Sequence, residues 1–352
     1  MTKLVMAGLA AVGVVLLPAT QDTPQDRFVL EGNPAVYALA GEVEVVRGTG
    51  RDVVVQVELR GPDADQLSIE VDEIRGRASL RVRHPDEDVV YDRGSGSRYS
   101  TTLRVRSDGT WGSGMSRTGG RRVTLASAGQ GIEAHAVLRI EVPEGRDLNV
   151  FVGVGGIEAR GVTGDIELDV ASGSIRAEDI RGYVSADTGS GDIVLQNIEG
   201  SVDADTGSGD IRLDGVRGDR TGADTGSGDV IARRLVTDRI EFDTGSGRIE
   251  ALDVESPEVT VDTGSGDIEL AFISAVRRLS VDSGSGDVTL RVPRELSAEI
   301  EAHTGSGQIE MDIPGLTRRQ SERRQVSGVV GSGQGSIEVD TGSGSIRIVA
   351  SG

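Results

Sequence analysis

The chain has 352 residues and a formal net charge of −20, from 57 acidic and 37 basic side chains. That excess argues against DNA, RNA or anionic lipid as partners and leaves cationic surfaces and divalent metals open. The absence of cysteine excludes disulfides and thiol chemistry, and 51 glycines beside 3% aromatic residues suit a thin coil with small interior side chains better than a globular core.

Residues 1–20 read as a signal peptide or N-terminal anchor. Lys3 precedes an apolar run over residues 4–17, and Pro18-Ala19-Thr20 follows. The run is short for a membrane span of about twenty residues, so cleavage near Ala19 is expected. Leu17 fits the small-residue position poorly, which keeps an uncleaved anchor as the alternative. Residues 21–27 form a polar linker, and residues 28–150 read as an irregular β-rich part of the fold that follows. There Val43, Val45 and Val53, Val55, Val57 alternate around Gly48-Thr49-Gly50, a distant copy of the later repeat. Further strands are expected over residues 67–71, 80–82 and 137–142. An excursion rich in Gly, Ser and Arg, residues 92–131, holds the single tryptophan, Trp111. It is expected to be a disordered or hairpin segment, with a ligand-contacting loop as the alternative.

Across residues 151–352 the pentapeptide Asp-Thr-Gly-Ser-Gly, then a polar residue and Ile or Val, recurs. Copies begin at Asp187, Asp205, Asp224, Asp243, Asp262, Asp282, His303 and Asp340, in steps of 18, 19, 19, 19, 20, 21 and 37. A fixed period of this size marks stacked copies of one supersecondary unit. Each copy carries period-two alternation, as in Ile211, Leu213 and Val202, Ala204, and its glycines would break a helix of that length. The expected fold is therefore all-β, a parallel β-helix with about 18–20 residues per coil, whose equivalent strands stack at about 4.8 Å. A second excursion, residues 314–335, interrupts the repeat and carries Arg318, Arg319, Arg323 and Arg324. The last strand is expected to leave an open edge, shielded by this excursion or by a partner. Arg220-Thr-Gly-Ala stands where other copies carry a β-branched pair, so a bulge is expected there.

Inward parity changes between Ala204 and Ile211, so the pentapeptide must be a corner. Its glycines supply unusual backbone angles, its Asp accepts an N–H two residues on, and its Thr and Ser are expected to stack hydroxyl to hydroxyl between coils. The alternative is calcium: Asp187, Asp205, Asp224, Asp243, Asp262 and Asp282 would stand about 4.8 Å apart, repelling by roughly 1 kcal/mol per adjacent pair even in water. The acidic residue after the second glycine is replaced at Ser174, Arg248, Gln308 and Ser345, which a repeated ligand position would not tolerate. No cofactor is therefore expected.

The Thr-Gly-Ser-Gly-Asp-Ile turns, the run Leu138-Arg-Ile-Glu-Val-Pro143 leading into Leu148-Asn-Val-Phe-Val-Gly-Val-Gly-Gly-Ile157, and the export signal together resemble the bacterial putative-adhesin family of β-strand-repeat proteins, a domain of unknown function. The resemblance covers roughly residues 36–349. It implies an extracytoplasmic β-solenoid, periplasmic, secreted or at the cell surface, with an adhesive role and no assigned catalytic residues. His84, His135 and His303 are far apart, lack metal-ligand spacing, and read as surface or turn residues. No nucleophile elbow or phosphate-binding glycine loop is present. The reading is a non-enzymatic binding, adhesin-like or envelope-structural protein. Its partner would be an envelope or extracellular protein or glycan, and it would meet a membrane only through an uncleaved N-terminal segment. A calcium-binding repeat protein and a polysaccharide-acting β-helix enzyme are the alternatives.

Overall fold

The computed structural model describes residues 26–92, 98–112 and 120–351. The expected signal peptide or anchor and most of the linker lie outside the described residues. The fold is an all-β parallel solenoid, and the chain divides into two compact units, residues 1–191 and 192–352.

In the second unit each coil has two main sides. One ends in the Asp-Thr of the motif, as in Val202–Thr206 and Glu258–Thr263, and the other follows its glycines, as in Ile249–Glu255. Both stack in register: Asp205 pairs with Asp224, Asp224 with Asp243, and Ile211 with Val230 and so with Ile249. Ile211, Leu213, Val202 and Ala204 are all buried, as the parity argument requires. A short third side carries Val216, Leu235 and Val254, also buried. It is set off by a corner in the left-handed region at Asn197, Gly215, Arg234 and Asp253, with φ of 53°, 74°, 54° and 57°. The period of 18 grows to 19 by one residue added between this third side and the next strand, at residues 219–220.

Thr221 stands in register between Val202 and Ile240, and the residue added just before it, at 219–220, is the bulge expected in this coil. Gly222 relieves the contact there, since a Cβ would fall 2.8 Å from Asp203 Oδ1.

The stacking order departs from the chain order at the end of this unit. Strand Gly335–Thr341 lies between Arg278–Ser283 and Ala298–Thr304, pairing with both, and Ile346–Ala350 lies between Val288–Val292 and Ile309–Asp312. The final coil is thus intercalated beneath the one that precedes it in sequence. The last strand is covered by Ile309–Asp312, and the outermost coil is the one that holds Ala298–Thr304, whose outer edge the second excursion shields. That excursion forms the hairpin Thr317–Ser321 and Gln325–Val330, whose second strand pairs antiparallel with Ala298–Thr304.

The first unit opens in the same way. Strand Ala35–Arg47 stacks parallel beneath Leu148–Arg160, and His135–Val142 is parallel to it on its other side. Val53–Arg60 runs antiparallel to His135–Val142, so Gly48-Thr49-Gly50 is a chain reversal rather than a stacked copy of the repeat. Hairpin Ser68–Ile74 and Arg77–Arg83 pairs through its second strand with Ala35–Arg47.

Candidate functional site: the covered outer face of the first unit

Within the motif the threonines point inward and are buried. Each donates its hydroxyl to a glycine carbonyl one coil back: Thr225 to Gly209 at 3.0 Å, Thr244 to Gly228 at 3.0 Å, Thr263 to Gly247 at 3.2 Å. Hydroxyl-to-hydroxyl stacking of the threonines is therefore replaced by hydroxyl-to-carbonyl bonds, while a serine contact of the expected kind joins Ser190 and Ser172 at 3.3 Å. The acid after the second glycine has its own task. Asp210 Oδ1 accepts the Asp229 N–H, and Asp229 Oδ1 accepts the Arg248 N–H, both at 2.9 Å. Arg248 tolerates the position because its backbone, not its side chain, is what the coil below holds.

The calcium candidates separate by unit. Asp205, Asp224, Asp243, Asp262 and Asp282 form one outward row in the second unit, continued by Asp340 and His303. Burial and the neighbouring carboxylates raise the affinity of Asp224, Asp243 and Asp262 for protons, as mutual repulsion requires. In the first unit, burial first, then Asp169 and Glu167, push Asp187 up to about 6. Among the described residues no group of three or more His, Asp or Glu side chains gathers in a metal-holding arrangement. Nor are the histidines equivalent. His84 is partly buried, with Nε2 3.3 Å from the Ala134 carbonyl oxygen, and burial pulls it down to about 4. It is thus an interior group, unlike the exposed His303.

The side chains that converge are elsewhere, and the first excursion brings them together. Its described strands, Ser100–Val105 and Arg121–Ala126, form a small sheet with Val89–Val90, which lies just before it. This sheet lies over the outer face of Ala35–Arg47 and Leu148–Arg160, so residues 38–41 and 150–155 are buried on both faces. Gly153 makes the approach possible: a Cβ there would fall 2.7 Å from Leu125 Cδ1 and 2.4 Å from the Leu39 carbonyl oxygen. Of the chain's four Tyr, four Phe and one Trp, this cluster gathers Tyr37, Tyr91, Tyr99, Trp111 and Phe151. Register places Tyr37 beside Phe151, whose rings stack at 4.6 Å and 7°, and Trp111 meets Tyr37 edge-on at 5.4 Å.

Two cavities flank Trp111 and Arg106. One, of about 300 Å³, is lined by Tyr37, Arg75, Arg77, Arg106, Asn149 and Glu167 among others. The second, of about 440 Å³, takes in Arg83, His84, Asp86 and Arg121. Trp111 is 3% exposed and its Nε1 has no acceptor among the described residues. The sequence singled out Trp111 but not its neighbours, because Tyr37 and Phe151 are brought side by side by strand pairing across more than a hundred residues.

A parallel β-solenoid bearing a folded excursion on its outer face defines the class. The chain belongs to the Toastrack DUF4097 family, whose model matches residues 86–349. Among solved structures it is similar to a putative cell adhesion protein from Clostridium sporogenes, at 12% identity over 94% of this chain and 100% of that one, with a TM-score of 0.21. It is also similar to a putative adhesin from Bacteroides fragilis, at 10% identity over 94% of this chain and 98% of that one, with a TM-score of 0.32. No curated protein matches the chain.

Proposed function

We propose that this chain is a non-enzymatic, extracytoplasmic binding protein of adhesin-like or envelope-structural role. The partner is an envelope or extracellular glycan or protein met by the outer surface of the coils. One observation carries this reading: the first excursion folds over the outside of the solenoid and concentrates five aromatic side chains there, beside two arginine-lined cavities. Aromatic groups and arginine are the residue types that dominate recognition surfaces. Elsewhere the outer surface repeats, and repetition lets weak contacts add through avidity. The aspartate rows serve as corner formers in this reading, without calcium.

The test is fractionation of cells together with binding of the purified full chain to isolated envelope polysaccharide. Recovery outside the cytoplasm with saturable binding and an unchanged polysaccharide is expected. A cytoplasmic protein, or polysaccharide chains cut to give new unsaturated ends, would contradict the reading.

A further inference from the structure

The smaller cavity has a composition that the chain as a whole does not. Against a net charge of −20, Arg75, Arg77 and Arg106 line it with Glu167 as the acid among its walls. Arg75 lies in the turn of the hairpin Ser68–Ile74 and Arg77–Arg83 and Arg77 follows it, and both are exposed. Arg75 has φ of 54° and Gly76 of 76°, so both central residues of the two-residue turn are left-handed. Such turns favour Asn-Gly or Gly-Gly, and an arginine in that conformation costs on the order of 1 kcal/mol.

Arg234 adopts the same conformation, but there the guanidinium is 2.7 Å from Asp214 Oδ1. Arg75 has no such partner among the described residues, and neither has Arg77. Of the acids of their own hairpin, Glu70 and Asp72 are engaged with Arg81 at 3.2 and 2.8 Å, and the exposed Glu73, opposite Ala78, makes no ion pair with either arginine among the described residues. Two unpaired guanidinium groups are therefore held at the mouth of a cavity that also contains stacked and edge-on aromatic rings. The Tyr37 hydroxyl lies within their field: burial raises its proton affinity, and Arg77 and Arg106 oppose that rise.

These features select a ligand. Guanidinium groups match a carboxylate in geometry and hold it by paired charge-assisted bonds. The half-buried Tyr37 ring suits the apolar face of a sugar, while Asn149 and Glu167 are bonded to each other and Thr110 to Asp108 and Arg106. A volume of about 300 Å³ is at the small end for a ligand site. An extended polyanion would be repelled by the remainder of the chain, whereas one carboxylate on an otherwise neutral ring meets only the local field. We propose that this cavity binds a carboxylate-bearing sugar ring, its acid group taken by Arg75 and Arg77 and its ring laid against the half-buried Tyr37. The proposal rests on the binding role given above and names its ligand.

The experiment is titration calorimetry of the full chain with three probes: a galactose oligosaccharide carrying one galacturonate ring, the matching neutral galactose oligosaccharide, and inorganic phosphate. It is repeated on the variant Arg75→Gly/Arg77→Gln, which keeps the turn, because glycine accepts the left-handed conformation without strain. Expected results are binding of the galacturonate probe, at least tenfold weaker binding in the variant, weakening by salt, and little affinity for either other probe. Equal binding of the neutral oligosaccharide, equal competition by phosphate, no binding of galacturonate, or a variant that binds as the parent does would each overturn the proposal. If envelope polysaccharide binds while the variant is unaffected, the binding role stands and this assignment falls. Loss of all envelope binding by the parent chain removes the role itself.

Discussion

At the residue scale the corner motif divides its labour among its side chains. Thr244 faces the interior, and its bond to the Gly228 carbonyl satisfies a hydroxyl that would otherwise be buried without a partner, at a cost of roughly 1–3 kcal/mol. Gly228 is fixed by contact as much as by its φ of 152°, because a Cβ there would fall 2.0 Å from the Gly209 carbonyl oxygen. The outward Asp is the costly member. Asp187 ionises at about 6 in the folded chain against 3.8 ordinarily, so the folded state holds its proton more tightly than the unfolded state does. Its charge therefore costs stability, an effect absent below pH 3.8, growing as pH rises to about 6, and constant above that. Asp187→Asn is expected to raise the melting temperature at pH 7.5 by about 2–4 °C, the size of a change near 1 kcal/mol, with the gain vanishing below pH 4. Scanning calorimetry across that range checks it. The same scans with added calcium or chelator are expected to coincide, and a large drop with chelator would make the aspartates ligands.

At the element scale, the strands were legible because inward positions repeat at a spacing of two and the corners carry glycine. The second corner was not. Asn197, Arg234 and Asp253 occupy the left-handed region with side chains that also sit in ordinary strands, so their row shows only in backbone angles. The order of the coils was also hidden. The period tells which residues share a row, but Ile337 and Val339 match the inward pattern of Leu279 and Val281 as well as that of Ile300 and Ala302. Any coil with that pattern can lie on any other, and the order is settled by how the connecting hairpin returns. Cysteine pairs read this order cleanly in a chain with no cysteine of its own. Adjacent strands at about 4.8 Å are within disulfide reach and next-but-one strands are not. Oxidation is expected to link Asp282→Cys to Asp340→Cys, and Asp340→Cys to His303→Cys, but not Asp282→Cys to His303→Cys. Linking of the last pair alone would mean that the coils stack in chain order.

At the scale of the whole molecule, the fold class could be read from the repeat, and the site could not. A repeat reports what successive coils share, whereas recognition requires what one of them does not share. In this chain that difference lies in residues 92–131, which interrupt the period, and in hairpin Ser68–Ile74 and Arg77–Arg83, which carries no copy of the motif. The excursion looked like a solvated segment because its glycine, serine and arginine content hides the few apolar residues that matter. Val123 and Leu125 alternate as in a strand, but Leu39 and Phe151, with which they are buried in one cluster, lie far from them in sequence. The central claim is that the working surface is this covered outer face and not the repeated aspartate row. Hydrogen–deuterium exchange of the full chain with and without isolated envelope polysaccharide tests it most directly. The account predicts new protection confined to residues 35–40, 74–79, 106–112 and 149–151. Protection centred on residues 205–282, or none in the presence of bound polysaccharide, would contradict it.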